Sequence, residues 1–363
     1  MEELAWGSAG QQARQVPVGR SEGEARLGSV MAREMAEQPE RLAALLARRS
    51  SLVHGVRKLV DRPVIGTVLV ARGSSDNAAT CGAYMLEMAT GRPVASTSPS
   101  IHTLYRASVD FSGYLVIAVS QSGQTPEITE VVDRARARGA KAIAVTNDEE
   151  SPLASAAELV VTLGAGQELA VPATKTVSAE LVAFAMIAQA LGEIGFSDEV
   201  AEALPAQVAE LLGDPGPAEA LSEWLVGTDR WATVARGLLY GAAAEVALKV
   251  EETTSVFSTA FSAADLRHGP IAAASGGLPV LAMVHPGPAS ADVLGIADEL
   301  RQRGARVRLA GPVAGSDLPW PLSSEVVAPV LAVVRGQQLA LGLARRLGHD
   351  PDSPPGLSKV TST

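Results

Sequence analysis

The sequence predicts an α/β fold made of two successive units, each a parallel β-sheet flanked by helices in three layers. Three observations carry this expectation. Short apolar runs alternate with runs at helical spacing, which implies strands joined by right-handed helical crossovers. Aromatic residues make up only 4% of the chain while Ala, Val, Leu and Gly abound, as suits strands buried on both faces and closely packed helices. Landmarks of the first half also recur in the second at nearly constant spacing. Val70-Ala71-Arg72-Gly73 returns as Val234-Ala235-Arg236-Gly237, 164 positions on. Ala118-Val119-Ser120 meets Met283-Val284-His285 and Gly139-Ala140-Lys141 meets Gly304-Ala305-Arg306, both 165 on.

The elements follow in order. Residues 1 to 28 mix Gly, Gln, Arg, Ser and Glu without periodicity and read as a mobile tail. Met31 to Arg48 has apolar residues at helical spacing, but Pro39 interrupts it, predicting two short helices or one broken near Gln38-Pro39. Strand and helix then alternate: a strand over Val64 to Val70, a helix over Ala78 to Met88, a strand over Tyr114 to Val119 and a helix over Pro126 to Arg138. Strands over Ala142 to Val145 and Leu159 to Leu163 precede a long helix from Thr176 to Leu191. Residues 195 to 225 hold a polar helix and the breaker Asp214-Pro215-Gly216-Pro217, the clearest boundary between the units.

Bulk properties bound the function. With 363 residues, 47% apolar and 19% charged, the chain can fill two cores. The single cysteine, Cys81, excludes a disulfide framework, and the five histidines show no metal-ligand spacing, so neither metal nor other cofactor is expected. A net charge of −10 without a basic block excludes a broad nucleic-acid surface, so an anionic ligand needs a local site. No apolar run approaches the roughly 18 residues of a membrane span, and no secretion signal opens the chain; a cytoplasmic location is expected.

One such anion site is legible. The apolar run ending at Val119 passes directly into Ser120-Gln121-Ser122-Gly123-Gln124-Thr125-Pro126-Glu127. Pro126 suits the first helical position and Thr125 the N-cap, so the hydroxyls of Ser120, Ser122 and Thr125 surround a helix N-terminus that favours phosphate. Open parallel sheets bind ligands at this edge. A polar turn that merely caps its helix has the same local pattern. Arg72-Gly73-Ser74-Ser75-Asp76-Asn77 follows an earlier strand in the same way, with Gly73 admitting a ligand to the backbone and Ser75 or Asp76 as a cap. In the second copy His285-Pro286-Gly287-Pro288 replaces the serine-rich loop, so only the first copy reads as a phosphate binder. The segment from Gln167 to Thr176 lies between a strand and a helix, and Val171 to Ala173 can present backbone to a ligand there. A capping loop led by Thr174 or Thr176 explains it as well.

Glu245, Lys249 and Glu252 share one face of a helix over Ala242 to Thr253. Such a trio is ordinarily a solvated ion-pair face, but the alanine-rich surroundings argue for burial, where carboxylates rarely sit unless paired or functional. His268, in Asp265-Leu266-Arg267-His268-Gly269-Pro270, and Lys359, near the end of the sequence, carry no weight singly.

Together these segments resemble the sugar isomerase (SIS) domain proteins, in particular the tandem group containing the isomerase half of glucosamine-6-phosphate synthase and the SIS-type glucosamine-6-phosphate deaminases. The likeness runs from about residue 30 onward, and Met31-Ala32-Arg33-Glu34-Met35-Ala36-Glu37-Gln38-Pro39 resembles the family's M-x-x-E-x-x-E-Q-P entry. It implies a mobile tail over 1–28, a first SIS domain over 29–195, linker helices over 196–225 and a second SIS domain with a catalytic tail over 226–363. Ser120, Gln121, Ser122 and Thr125 then match the phosphate loop, Gly73, Ser74 and Ser75 a sugar-contacting loop, and Val171 and Ala173 a third sugar contact. Glu252 matches the base that moves protons between C1 and C2, Lys249 its helical neighbour, and Lys359 the lysine of the tail. His268 matches the ring-opening histidine lent by a partner subunit, so a homodimer is implied.

The chain starts Met1-Glu2-Glu3 without the synthase's glutaminase and its N-terminal cysteine, and Pro99-Ser100 replaces an acidic loop. The tail from Pro355 to Thr361 is closer to the deaminase-like and tagatose-type members. The expected reaction is therefore deamination of glucosamine 6-phosphate to fructose 6-phosphate and ammonia through an enediol or enolamine. The alternatives are loss of the C3 hydroxyl from N-acetylglucosamine 6-phosphate, another aldose-ketose isomerisation, and non-catalytic sensing of a sugar phosphate.

Overall fold

The computed structural model describes residues 27–274 and 276–359. The first half comprises α1 (Ser29–Ala36), α2 (Gln38–Ala47), α3 (Arg49–Leu59), β1 (Thr67–Val70), α4 (Ser74–Thr90), β2 (Val94–Ser96), α5 (Pro99–Thr103), β3 (Leu115–Val119), α6 (Pro126–Ala137), β4 (Lys141–Thr146), α7 (Pro152–Ala156), β5 (Leu159–Thr162) and α8 (Lys175–Leu191). Helices α9 (Asp198–Gly213) and α10 (Gly216–Leu225) lead into β6 (Arg230–Ala235), α11 (Leu239–Thr254), β7 (Phe257–Ser262), α12 (Ala263–Arg267), β8 (Pro279–Met283), α13 (Ser290–Gln302), β9 (Arg306–Ala310) and α14 (Ala328–Leu347).

Two parallel sheets result, ordered β2-β1-β3-β4-β5 and β7-β6-β8-β9. Their shared order and register express the repeat: Val70 pairs with Ala118 in the first sheet, and Val234 with Ala282 in the second. The second sheet stops a strand short, with an isolated bridge from Ala310 to Leu318 beside β9.

The central strands divide their side chains between two cores, the consequence of a period of two. Leu69, Ile117, Val119, Ile143 and Val145 join a central core that also takes Trp231, Leu281 and Met283 from the second sheet. The alternate residues Val70, Val116, Ala118, Ala142 and Ala144 face a separate core with α6, and Val234, Val280 and Ala282 face another with α12 and α13. The central core packs α4, α8, α11 and α14 together. A Cβ on Gly82 would lie 2.3 Å from the Phe184 ring, and one on Gly241 would lie 2.4 Å from the Asn77 carbonyl. Both glycines set how closely α4 approaches its neighbours.

Several expectations are revised. Helix α4 begins at Ser74, not Ala78, because Gly73 already occupies the N-cap. Strand β1 begins at Thr67, three residues later than expected. Helix α3 was not foreseen because its serines and arginines leave only Val56 buried, nor was β2, a short and largely exposed strand. The expected linker helices α9 and α10 pack into the central core through Leu204, Val208, Leu211, Leu221 and Leu225. Most of the expected N-terminal tail lies outside the described residues. Its last two residues are held: the Leu27 carbonyl accepts from Arg345 at 2.9 Å, and the Gly28 N–H donates to Asp350 at 3.1 Å. Asp352 accepts from the N–H groups of Val30 and Met31 at 2.8 and 2.7 Å, where carboxylates suit the N-terminus of α1.

Substituting Gly82→Ala is expected to lower stability by about 1–3 kcal/mol through overpacking against Phe184. Urea denaturation should show a lower midpoint with an unchanged slope; an unchanged midpoint would show that α4 and α8 have room to separate.

Candidate functional site

The fully buried strand β3 delivers Ser120 to the carboxyl edge of the first sheet, and α6 starts at Pro126. Between them the chain turns at Gly123, whose φ of 61° suits glycine and whose Cβ would strike Ser151 Oγ at 2.1 Å. Ser120 Oγ accepts from the Gly123 N–H at 3.2 Å and Ser122 Oγ from the Gln124 N–H at 3.2 Å, so these hydroxyls shape the loop. The Gln121 carbonyl accepts from the Asn147 N–H at 3.0 Å, pinning the loop to the end of β4. Thr125 occupies the N-cap, but its side chain makes no capping bond, which leaves the first turn of α6 open to an anion.

Gly73 has a φ of 58°, and its missing Cβ would meet nothing within 4 Å, so the loop after β1 is open above the backbone. Ser75 and Asp76 lie within the first turn of α4 and are not its N-cap. Ser75 instead donates to Glu180 Oε1 at 2.8 Å.

The third loop is organised by a carboxylate not singled out in the sequence. Glu168 accepts from the N–H and hydroxyl of Thr174 at 2.9 and 3.2 Å, and from those of Thr176 at 3.2 and 2.7 Å. Lys359 Nζ donates at 2.8 Å to Oε2, the oxygen that also accepts the Thr176 hydroxyl. Burial pushes this carboxyl up, but the Lys359 charge and the converging donors outweigh it and hold it below the ordinary value. The threonine hydroxyls thus serve Glu168 and do not cap α8. The entry segment clamps the same loop from behind. Glu34 accepts from Leu169 and Ala170 at 2.5 and 3.2 Å, Glu37 pairs with Lys175 at 2.7 Å, and Gln38 accepts from Ser178 at 2.5 Å.

On α11 two of the charged trio are buried and the third is half-buried. Lys249 and Glu245 each retain 1% of side-chain exposure, and Glu252 retains 23%. Lys249 Nζ bonds directly to Glu252 and lies 3.4 Å from Glu245, whose other oxygen accepts from Asn77 on α4 at 2.9 Å. Burial pushes the Lys249 ammonium down, yet Glu245 and Glu252 together raise it above its ordinary value, so it stays charged. Burial raises the Glu245 carboxyl despite Lys249. The solvated face, the ordinary reading of such a trio, is excluded, as the alanine-rich surroundings implied; Glu252 is the member that reaches the surface.

These elements enclose a cavity of about 370 Å³, within the range of small-ligand sites. Gly73, Ser74, Ser75, Ser120, Gln121, Ser122, Thr125, Val171 and Ala173 all line it, together with Glu252 and Lys359. Lys249 lies behind Glu252 and is not part of the wall. His268 stands apart: it is exposed after α12 and does not line the cavity of its own chain. In the second copy His285 is buried at the matching position, its ring nitrogens 2.9 and 3.1 Å from the carbonyls of Pro286 and Ser323.

The wall also includes Arg72 and Thr176, read in the sequence only as part of a turn and as a candidate cap, and Glu180, which the sequence did not single out. Glu180 is a lone carboxylate in the apolar run of α8, and the argument from apolar surroundings used for Glu245 applies to it equally. Burial, with Glu245 and Glu168 behind it, pushes the Glu180 carboxyl from 4.5 up to about 8, against Ser75 and Lys359.

A raised acid favours the folded state only while protonated, so wild-type stability falls as pH rises from about 4.5 to about 8. Glu180→Gln should therefore gain stability over wild type across this window, and the gain should level off above it. Urea midpoints measured at about pH 5, 7 and 9 test this; a difference independent of pH would show that Glu180 is already ionised in the fold.

Comparison with known proteins follows the same outline. The SIS domain model matches residues 67–190 and 225–310, the β1–α8 unit and the sheet of the second unit. A glutamine–fructose-6-phosphate aminotransferase (isomerizing) from Symbiobacterium thermophilum is 32% identical over 355 residues, covering 91% of this chain but 58% of the relative. The chain thus spans less than two thirds of that relative's length. A solved chain from Silicibacter pomeroyi, described as a candidate phosphosugar isomerase, superposes with a TM-score of 0.82 at 30% identity, covering 89% of this chain and 99% of that one. The C-terminal domain of a glucosamine-fructose-6-phosphate aminotransferase from Francisella tularensis shares the fold with a TM-score of 0.78 at 23% identity, covering 92% and 100%. With both sheets falling inside the matched segments, the chain belongs to the SIS domain family.

Proposed function

We propose that the chain is a sugar-phosphate enzyme that deaminates and isomerises an amino sugar phosphate, converting glucosamine 6-phosphate and water to fructose 6-phosphate and ammonia. The observation that carries this reading is one cavity walled by the loop from Ser120 to Thr125, by Glu252 and by Lys359. The loop's open helix N-terminus suits a phosphate, and binding energy gathered there orients carbons farther along the sugar. Glu252 then takes the proton from C2 of the open-chain aldehyde, leaving an enolamine, and returns it at C1. The resulting C2 imine adds water and expels ammonia, leaving the ketone.

The surrounding residues fit those roles. Lys249 fixes the orientation of Glu252 from behind through their ion pair. Lys359, positioned by Glu168, offers positive charge to the oxygen at C1 as the enolamine forms. The deaminating direction is supported by the likeness of the segment from Pro355 to Thr361 to deaminase-like members. Because His268 lies outside the cavity of its own chain, its ring-opening role belongs to a homodimer in which each subunit lends this histidine to the other.

Incubation with glucosamine 6-phosphate should release ammonia and fructose 6-phosphate in equal amounts. Glu252→Gln should lower turnover by about 10²–10⁴ while phosphate-ligand binding persists; lost binding would make Glu252 structural. Mixing inactive Glu252→Gln with inactive His268→Ala should recover about one quarter of wild-type activity, since half the dimers then hold one intact site of two. No recovery from subunits shown to exchange would place both groups on one chain.

A further inference from the structure

Glu180 has no part in the proton transfers above, yet it lines the same cavity and is 1% exposed. Oε1 accepts from Ser75, while Oε2 has no hydrogen-bond partner among the described residues. A buried carboxylate oxygen without a donor is costly, and the cost is removed by whatever brings one. The charges around it narrow what that can be. Glu168 on the third loop, Glu245 and Glu252 on α11, and Glu180 on α8 make four carboxylates; Lys249 and Lys359 supply two ammonium groups. Arg72, at the loop after β1, is engaged with Glu127 at 3.0 Å. The loop from Ser120 to Thr125 contains no acidic residue and is held from the β4 side by Thr146, Asn147 and Asp148. The cavity therefore joins an anion-accepting loop to a region with excess carboxylate, which fits a ligand bearing both a phosphate and a positive charge.

We propose that Glu180 is a specificity residue whose carboxylate is the counter-ion for a primary ammonium on the bound sugar phosphate, so that the cavity selects an amino sugar phosphate over its neutral and N-acylated counterparts. This rests on the sugar-phosphate reading and adds the charge state of the substrate. A hydroxyl can share a hydrogen bond with the Glu180 carboxyl but brings no charge to stabilise its ionised form. An acetylated nitrogen can do neither as well, and it is bulkier. Binding also moves a proton. Near pH 6.5 a sugar ammonium is charged, and Glu180, its carboxyl raised to about 8, holds a proton in the free protein. Forming the ion pair expels that proton to solvent.

The test uses calorimetry on the full chain with three alditol 6-phosphates, the 2-amino, the 2-hydroxy and the 2-acetamido forms, which lack the carbonyl and do not turn over. Wild type should bind the amino ligand at least about tenfold more tightly than the hydroxy ligand. Glu180→Gln should abolish that preference and keep its affinity for the hydroxy ligand. Repeating the titrations near pH 6.5 in buffers of different ionisation enthalpy should show close to one more proton released with the amino than with the hydroxy ligand, a result that needs no variant. Equal affinity and equal proton release for the two ligands in wild type, or a preference that survives in Glu180→Gln, overturns the role of Glu180 while leaving the sugar-phosphate site intact. Failure of all three ligands to bind removes both.

Discussion

An ammonium group with 1% exposure is tolerable only where opposing charge surrounds it, and Lys249 meets that condition with Glu245 and Glu252 on its own helix. The condition reaches further than α11. Glu245 is itself buried and needs Asn77, which stands on α4 of the other unit, and that bond forms only because Gly241 lets the two helices come together. The orientation of the carboxylate proposed as the base is thus fixed by a chain of contacts running through the junction of the two units. Neither unit alone can satisfy these charges.

The repeat supplied two similar sheets, and the copies have since diverged in use. At its carboxyl edge the first sheet keeps a serine-rich turn with a helix N-terminus that no side chain caps. At the matching edge of the second, the buried ring of His285 sits among backbone carbonyls. What the second unit brings to the cavity comes from α11, through Glu252, and from the segment beyond α14, through Lys359. On the proposed reading, binding and chemistry are divided between copies, with the junction as the place where they meet.

Much of this was readable from local pattern. The sheets follow from strand and helix periodicity, the repeat from constant spacing, and the loops at Gly73 and Ser120 from turn chemistry next to a strand end. The start of α4 shifted because Gly73 at the N-cap lets the helix begin directly behind the turn. What stayed hidden depends on partners distant in sequence. Glu168 looks like any loop glutamate until Lys359, 191 positions away, arrives beside it. Glu180 did carry a local signal, a single acid within Val177 to Ala190, but its meaning depends on Ser75 and on the cavity. The entry segment was recognised by likeness, whereas its work, fastening the third loop through Glu34, Glu37 and Gln38, appears only in three dimensions.

The stitch made by Asp350 and Asp352 has a consequence for the order in which the protein is made. These residues fasten the start of α1, and the Asp352 carbonyl also accepts from the Val171 N–H at 3.3 Å, beside the loop that Lys359 reaches seven residues later. Helix α1 must therefore wait for residues synthesised more than three hundred positions afterwards before its end is capped. Glu168 likewise stays without its cation until residue 359 has emerged. A nascent chain can assemble its first sheet early, but the wall of the cavity stays unfinished until Lys359 has been added.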